Sequence, residues 1–307
     1  MSNNYSDDQI DLRELILFFW EKKREIVLIT TFFAIASIVI TLMTPNEYRA
    51  TISLVPNEKD DSSISNSLSG TLGGLSSIAG INFAAPITNE KTIAMERMQS
   101  WGFMESFINE YELEPFLAAD GWNEKENEIS IDNDLYDIEN EEWKTDSDGN
   151  SYKPSSWESY QSLLGKVSLS EDIETGIIYF SLDYYSPKLA TEWATNFIDY
   201  VNENMKERKL QQTTRNIQYL EAEIQKTSNA KLSEILYKLI ENETKDKMLA
   251  GASPEYVFST VSKAMIPERK VRPIRSKIVI ISTLAGGVLS LVFHLIIFLF
   301  RQEKFRV

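Results

Sequence analysis

Two apolar runs constrain this chain more than any other feature. Ile26 to Met43 is 18 residues without a charge, and Ile278 to Phe300 is 23. At about 1.5 Å per residue they extend roughly 27 and 35 Å, against a bilayer hydrocarbon core of about 30 Å. Core helices of a soluble protein carry a polar stripe, and these runs carry almost none. The chain is therefore expected to cross a membrane twice, with the 234 residues Thr44 to Lys277 on one side of it. Small residues recur on both runs: Ala34, Ser37 and Thr41 on the first, Gly286, Gly287 and Ser290 on the second. Such residues let helix backbones approach closely, so the two spans are expected to pack on each other.

Charge sets the expected orientation. Lys22, Lys23 and Arg24 abut the first run, and only Arg49 and Lys59 follow closely. The positive-inside rule then puts the N-terminus in the cytoplasm, and a second span returns the C-terminus to that side. Asp7, Asp8, Asp11 and Glu14 precede the first run, and Met43-Thr44-Pro45 has no small-x-small cleavage pattern. An uncleaved anchor fits better than a secretory signal. Arg269, Lys270, Arg272, Arg275 and Lys277 precede the second run and run against the rule. The first helix usually dominates, and large domains translocate largely regardless of charge. That basic cluster needs its own explanation.

The rest of the composition excludes more than it identifies. There is no cysteine, which removes thiol chemistry and thiolate metal sites. The net charge is −15, and Asp120 to Asp148 alone holds twelve acids against Lys125 and Lys144. Nucleic acid is repelled by such a surface. The acidic run reads as a solvated loop. The single histidine, His294, lies inside the second apolar run, so no exported histidine triad or histidine-ligated metal site is expected. An ionisable residue at membrane depth is a functional candidate, and a neutral imidazole bonded to backbone or water is the alternative. Asp146 to Asn150 resembles a calcium loop only superficially, its glycine being two positions early, and reads as a turn. No phosphate loop or other cofactor motif is present, and no catalytic set of residues stands out.

Periodicity organises the segment between the spans. Alternation predicts strands over Tyr48 to Leu54, Lys166 to Ser170, Gly176 to Tyr185 and Glu255 to Met265. Ser62 to Gly80 is Ser/Gly-rich, with Ile64, Leu68, Leu72, Leu75 and Ile78 at helical spacing, and reads as linker or short amphipathic helix. Lys91 to Leu113 reads as helix. Ser186 and Pro187 open a longer one, and no glycine or proline follows until Gly251. Unbroken, Pro187 to Ala250 is a helix about 96 Å long, against about 45 Å for a globule of the exported segment. It must project, with its polar middle Asn202 to Gln212 covered by neighbouring copies, or turn back near Thr227-Ser228-Asn229.

Pro267-Glu268-Arg269-Lys270-Val271-Arg272-Pro273-Ile274-Arg275 forms a stiff, basic, extended lead-in to the second span, whose cations can meet lipid phosphates or simply snorkel. With Ile10 to Leu15, Glu47 to Pro56, Leu72 to Ile81, Ser186-Pro187 and Lys226 to Arg275, this segment resembles the Wzz-type chain length determinants of bacterial surface polysaccharides, also called polysaccharide co-polymerases. Pro267, Pro273 and Arg275 stand at the first, third and basic positions of that family's P-x-x-P-x-x-P-x-[KR] signature, while Lys270 replaces its middle proline.

The resemblance implies an α+β protein whose two transmembrane helices flank a periplasmic domain, with a membrane-proximal α/β base and a long projecting α-helix. The expected divisions are a cytoplasmic N-terminus (1–25), a membrane helix (26–43), a base domain (44–185) holding the acidic loop (120–150), a helical extension (186–250), a return strand with the Pro/basic segment (251–277), a second membrane helix (278–300) and a cytoplasmic tail (301–307). The resemblance further implies an inner-membrane regulator, neither an enzyme nor cofactor-dependent, forming closed homo-oligomeric rings. It would set the modal length of O-antigen or a related polymer, with a separate polymerase and undecaprenyl-linked polysaccharide as partners. The seven residues after the second span leave no room for the kinase arm some relatives carry. A membrane scaffold or sensor with a periplasmic binding domain is the competing class, and an envelope polysaccharide-cleaving enzyme is the third.

Overall fold

The computed structural model describes residues 12–57, 90–123, 125, 126 and 128–304. The Ser/Gly-rich stretch 62–80 lies outside the described residues. In chain order the elements begin with α1 (Leu12–Glu21), α2 (Lys23–Met43) and β1 (Glu47–Pro56). Next come α3 (Glu90–Met98), α4 (Trp101–Glu110) and α5 (Glu114–Leu117). Four short strands follow: β2 (Gly121–Asn123), β3 (Glu128–Ser130), β4 (Tyr136–Asp137) and β5 (Glu142–Trp143). Then come α6 (Ser156–Lys166), β6 (Val167–Glu171), β7 (Ile178–Tyr184), α7 (Pro187–Lys226) and α8 (Ala230–Ala252). The chain continues through β8 (Phe258–Ser262), β9 (Lys270–Arg272) and α9 (Arg275–Lys304). It divides into two compact units, Tyr48–Arg269 and the paired segments before and after it.

The middle unit is built on a sheet with strand order β6-β7-β1-β8, all pairs antiparallel. The alternation read from the sequence is the reason. Ala50, Ile52 and Leu54 of β1 stand opposite Leu182, Phe180 and Ile178 of β7, and all six side chains are buried. One face of the sheet is thereby apolar, and a one-residue slip would turn every one of them to the other face. On that other face the same strands pair through polar groups. The Thr51 and Ser181 hydroxyls lie 2.9 Å apart, and Arg49 donates two bonds to Asp183, at 2.6 and 2.7 Å.

The first half of α7 lies against the apolar face. Ser186 accepts from the Leu189 amide as N-cap, and Pro187 fills the first turn. Phe197 stacks on Phe180 at 4.7 Å and meets Phe107 of α4 edge-on at 4.9 Å, while Trp193 packs on Tyr184 at 4.3 Å. The predicted helix over Lys91 to Leu113 is two helices, interrupted at Gln99-Ser100 so that α3 and α4 pack separately on this core.

Of the two courses open to the long helix, the turn at Thr227-Ser228-Asn229 is the one observed. Asn229 caps α8, its side-chain oxygen accepting from the amides of Lys231 at 3.0 Å and Leu232 at 3.3 Å. At 40 residues, α7 is still about 60 Å long, and α8 packs back along it. The polar middle of α7 is consequently satisfied within the chain. The Asn202 side chain donates to the Phe258 carbonyl and accepts from the amides of Val257 and Phe258, all within 3.0 Å. Lys209 pairs with Asp246 at 3.5 Å, and Asn216 donates to Glu243 at 2.9 Å. Beyond Thr213 no residue of α7 is buried, so the distal hairpin extends past the sheet's core as two helices supporting each other.

The acidic run is not a plain loop. Between Asp120 and Ser151 it forms two small antiparallel ribbons, β2-β3 and β4-β5, and a bridge from Thr145 to Ser151. Carboxylates make the turns: Asp137 accepts from the Glu139 and Asn140 amides, and Asp146 from Asp148 and Asn150. These bonds hold the Asp137 and Asp146 carboxyls below the usual range, the Asn140 and Asn150 side-chain amides contributing most. The segment Asp146 to Asn150 is a turn, with Gly149 at φ +87°.

Candidate functional site

The residues singled out from the sequence concentrate in the unit made of α1, α2, β9 and α9. Both α2 and α9 are long and apolar enough to cross a membrane. They pack antiparallel, so the start of α2 lies beside the end of α9. On α9 the buried positions are Gly286, Ser290, His294 and Phe298, spaced by four. On α2 they are Ser37 and Thr41, flanked by half-buried Thr30, Phe33 and Ala34. Gly286 is the tightest point, where an added β-carbon would stand 2.6 Å from that of Phe33. Gly287 has 3.8 Å to the Thr30 hydroxyl, so it faces the same helix with room to spare.

A helix can hide its own hydroxyls by donating them back to its carbonyls, and α2 does so. Thr30 donates to Ile26, Ser37 to Ala34 and Thr41 to Ser37, each within 2.9 Å. Ser290 is buried on the facing helix, and its hydroxyl has no partner among the described residues.

Polar contacts close the helix pair at both ends. At one end His294 is fully buried, its Nδ1 2.8 Å from the Ser290 carbonyl and its Nε2 3.3 Å from the Glu25 carboxylate. A carbonyl only accepts, so the Nδ1 in this bond is the donor. Lys22 also bonds Glu25. The sequence reading reached His294 and its backbone bond but not Glu25. The signal was present in an acid immediately following three basic residues at the edge of the run. Beyond this contact Phe18 of α1 packs on Phe298, ring centres 5.2 Å apart.

At the other end the basic lead-in meets the exit of α2. Arg275 donates from Nε to the Thr41 carbonyl at 3.1 Å and from Nη2 to the Asn46 side chain at 3.3 Å. Lys270 donates to the same Asn46 oxygen at 2.9 Å, and Arg272 lies 3.8 Å from the Glu47 carboxylate. A guanidinium on a last-turn carbonyl satisfies a group the helix cannot and opposes the negative end of its dipole. Pro273 is half-buried and follows a cis peptide bond. Pro267 lies in the middle unit, half-buried. Asn46 escaped the sequence reading, being an ordinary polar residue after a proline.

Among its described residues the middle unit carries a cleft rich in acids. Glu110, Asp199, Glu203 and Glu207 line it together with Tyr111 and Tyr200. Partial burial, with Glu255 nearby, pushes the Asp199 carboxyl up, while Lys263 opposes the shift. Among the described residues no group of acids and histidine is arranged to hold a metal ion.

Comparison with known proteins finds a similarity over about a third of the chain. Residues 8–110 match the family model of Wzz, chain length determinant protein. No curated protein matches the sequence. Similar solved structures include a full-length bacterial polysaccharide co-polymerase, at 15% identity and a TM-score of 0.36, covering 96% of this chain and 99% of that one. A fragment of WzzB, a polysaccharide co-polymerase from Salmonella Typhimurium, shares 14% identity at a TM-score of 0.26 and covers 74% and 100%. A point mutant of the Shigella flexneri lipopolysaccharide O-antigen chain-length regulator WzzBSF shares 9% at 0.19 and covers 73% and 99%. At such identities and scores the structural likeness carries no functional weight.

Proposed function

We propose that the protein works as a Wzz-type chain length determinant, the family its residues 8–110 match, and that it sets the modal length of a surface polysaccharide without making or breaking glycosidic bonds. The polymer is lipopolysaccharide O-antigen or a close relative. Its extension is carried out by a separate polymerase on undecaprenyl-linked chains. The protein sits in the bacterial inner membrane, both termini cytoplasmic and the unit Tyr48–Arg269 periplasmic.

The match over residues 8–110 carries this reading, because it spans α2, the exit from the membrane and β1 rather than a generic apolar helix. The antiparallel helix pair supports the topology, since two such spans bring both ends to one side. The basic residues Lys22 to Arg24 support the choice of side.

Assembly into a closed homo-oligomer has a physical motive as well. The polar middle of α7 is covered by α8 and β8, so it makes no demand for neighbours. The hairpin nevertheless leaves Tyr219, Leu232, Tyr237, Leu249 and Met248 exposed. Identical head-to-tail contacts between copies terminate only by closing into a ring.

A scaffold of this kind regulates by contact. If its affinity for the polymerase or the growing chain changes with polymer length, the ratio of extension to termination changes with it. Deleting the gene should leave polymer on the cell but abolish its preferred length, read by electrophoresis of the surface polysaccharide, and complementation should restore the mode. Loss of all polymer on deletion, or cleavage of the polysaccharide by purified protein, would replace the regulator by an enzyme.

A further inference from the structure

We propose that Trp101, Trp157 and Tyr160 form a saccharide-binding platform on the middle unit; the proposal rests on the regulator reading, in which this unit works beside a growing polysaccharide. The two indoles sit in the first turns of α4 and α6 and remain 48% and 55% exposed. Their centroids are 6.1 Å apart at 87°, and Tyr160 lies 5.3 Å from Trp157 at 46°. The three rings therefore form a corner with open faces rather than a closed stack.

Hydrogen bonds hold this corner in place. The Trp101 indole N–H donates to the Ser156 hydroxyl at 2.8 Å, and that hydroxyl donates to Glu105 Oε1 at 2.6 Å. The Tyr160 hydroxyl donates to the Gln99 carbonyl at 3.1 Å, and α6 is fixed by a reciprocal capping box between Ser155 and Glu158. Rigid aromatic anchors lose little entropy when a ligand lands on them. Glu105 is held through Ser156 beside the Trp101 indole N–H, and a carboxylate has further lone pairs to accept from a ligand hydroxyl.

The surface matches the two-sided chemistry of a pyranose. The C–H face of such a ring stacks on an aromatic plane, and its rim of hydroxyls donates to a carboxylate. Charge argues against an anionic lipid surface, because Glu105, in the second turn of α4 and joined to Trp101 through Ser156, and Glu158, in the first turn of α6, are both acidic. Size argues against a second protein: half of two indoles at about 150–250 Å² each is some 200 Å², far below the roughly 800 Å² per partner of a stable interface. One or two sugar rings cover such an area.

The test uses the full chain in detergent micelles, titrated with lipid-free polysaccharide released from the host's own envelope by mild acid. Saturable change in tryptophan emission is expected. Trp157→Ala should bind at least about tenfold more weakly, with Trp157→Phe between the two, the lost contact being about 50–100 Å² of apolar area. Circular dichroism and thermal unfolding of both variants should match the parent, since the ring is exposed. Equal affinity in parent and Trp157→Ala would overturn the platform. So would Trp157-dependent binding to phosphatidylglycerol vesicles without binding to polysaccharide, or loss of the oligomer in Trp157→Ala. Failure of the regulator reading shows elsewhere, as an unaltered polymer length in the deletion strain.

Discussion

The β-carbon of Phe33 occupies the place a side chain at Gly286 would need, at 2.6 Å. Gly287, one residue on, leaves 3.8 Å to its nearest neighbour. The two glycines therefore respond oppositely to alanine.

Gly286→Ala forces the backbones of α2 and α9 apart, and overpacking of this kind typically costs about 1–3 kcal/mol. Gly287→Ala meets no obstacle and gains helix propensity of up to about 1 kcal/mol. Thermal unfolding in detergent should place Gly286→Ala below the parent and Gly287→Ala at or above it. The same order is expected for sharpness of the polysaccharide length distribution.

Arg275 holds the exit of α2 by its bond to the Thr41 carbonyl. Arg275→Ala releases that carbonyl and Asn46 together, at an expected cost of about 1.5–3 kcal/mol for a charge-assisted bond. Pro273→Ala loosens the lead-in without removing the contact. Both should broaden polymer length at near-normal protein level, Arg275→Ala more strongly. Unchanged length in both, at equal expression on immunoblots, would make the segment a linker.

Asn202 is buried and bonded through both side-chain atoms to the main chain of Val257 and Phe258. Asn202→Leu leaves those groups without partners, and each buried unsatisfied group costs about 1–3 kcal/mol. A lowered unfolding midpoint is expected, together with early proteolysis between α8 and β8. A midpoint equal to the parent's would mean that water replaces the asparagine.

Burial raises the Tyr184 phenol above its ordinary value of 10.0. The folded protein prefers the neutral ring, so its contribution is complete below pH 10 and falls as the pH rises further, where only the unfolded chain ionises freely. Tyr184→Phe should flatten the decline in stability above pH 10. It should also lower stability at neutral pH by about 1 kcal/mol, through the lost 2.7 Å bond to the Phe116 carbonyl.

Orientation is open to reporter fusions. Alkaline phosphatase joined at Asn150, in a turn of the middle unit, should be active, and a fusion at Val307 inactive. Activity at Val307 would reverse or break the proposed topology.

What the sequence discloses here follows from what periodicity records. The alternation at Ala50, Ile52 and Leu54 and the unbroken run from Ile278 are local patterns, and both elements stand where those patterns put them. The hairpin was one of two courses, because Asn229 reads equally as a surface residue or a cap until α8 is seen to fold back. Glu25 with His294 and Asn46 with Arg275 are pairs separated by more than 200 residues, and no pattern along the chain joins them. The acidic run misled for a related reason. Its charge density is typical of unstructured loops, but many of its carboxylates and amides serve as turn acceptors and donors, which composition does not distinguish.

The central strand also sets a schedule. Residues of β1 find their partners about 130 positions later in β7 and about 200 positions later in β8, as the pairs Thr51 with Ser181 and Val55 with Ser259 mark. Such distant closure is slow, and a strand with both edges open is prone to wrong pairings while it waits. If the chain is threaded across a membrane from its N-terminus, as in the proposed topology, β1 emerges first, is unpaired until β7 follows, and keeps its other edge open until β8. The last strands to pair with β1 are β8, which ends at Ser262, and β9, which ends at Arg272, and α9 begins at Arg275. Completion of the fold and delivery of the second membrane helix thus fall at almost the same moment, and a chaperone that shields an exposed strand has its greatest effect in the interval before it.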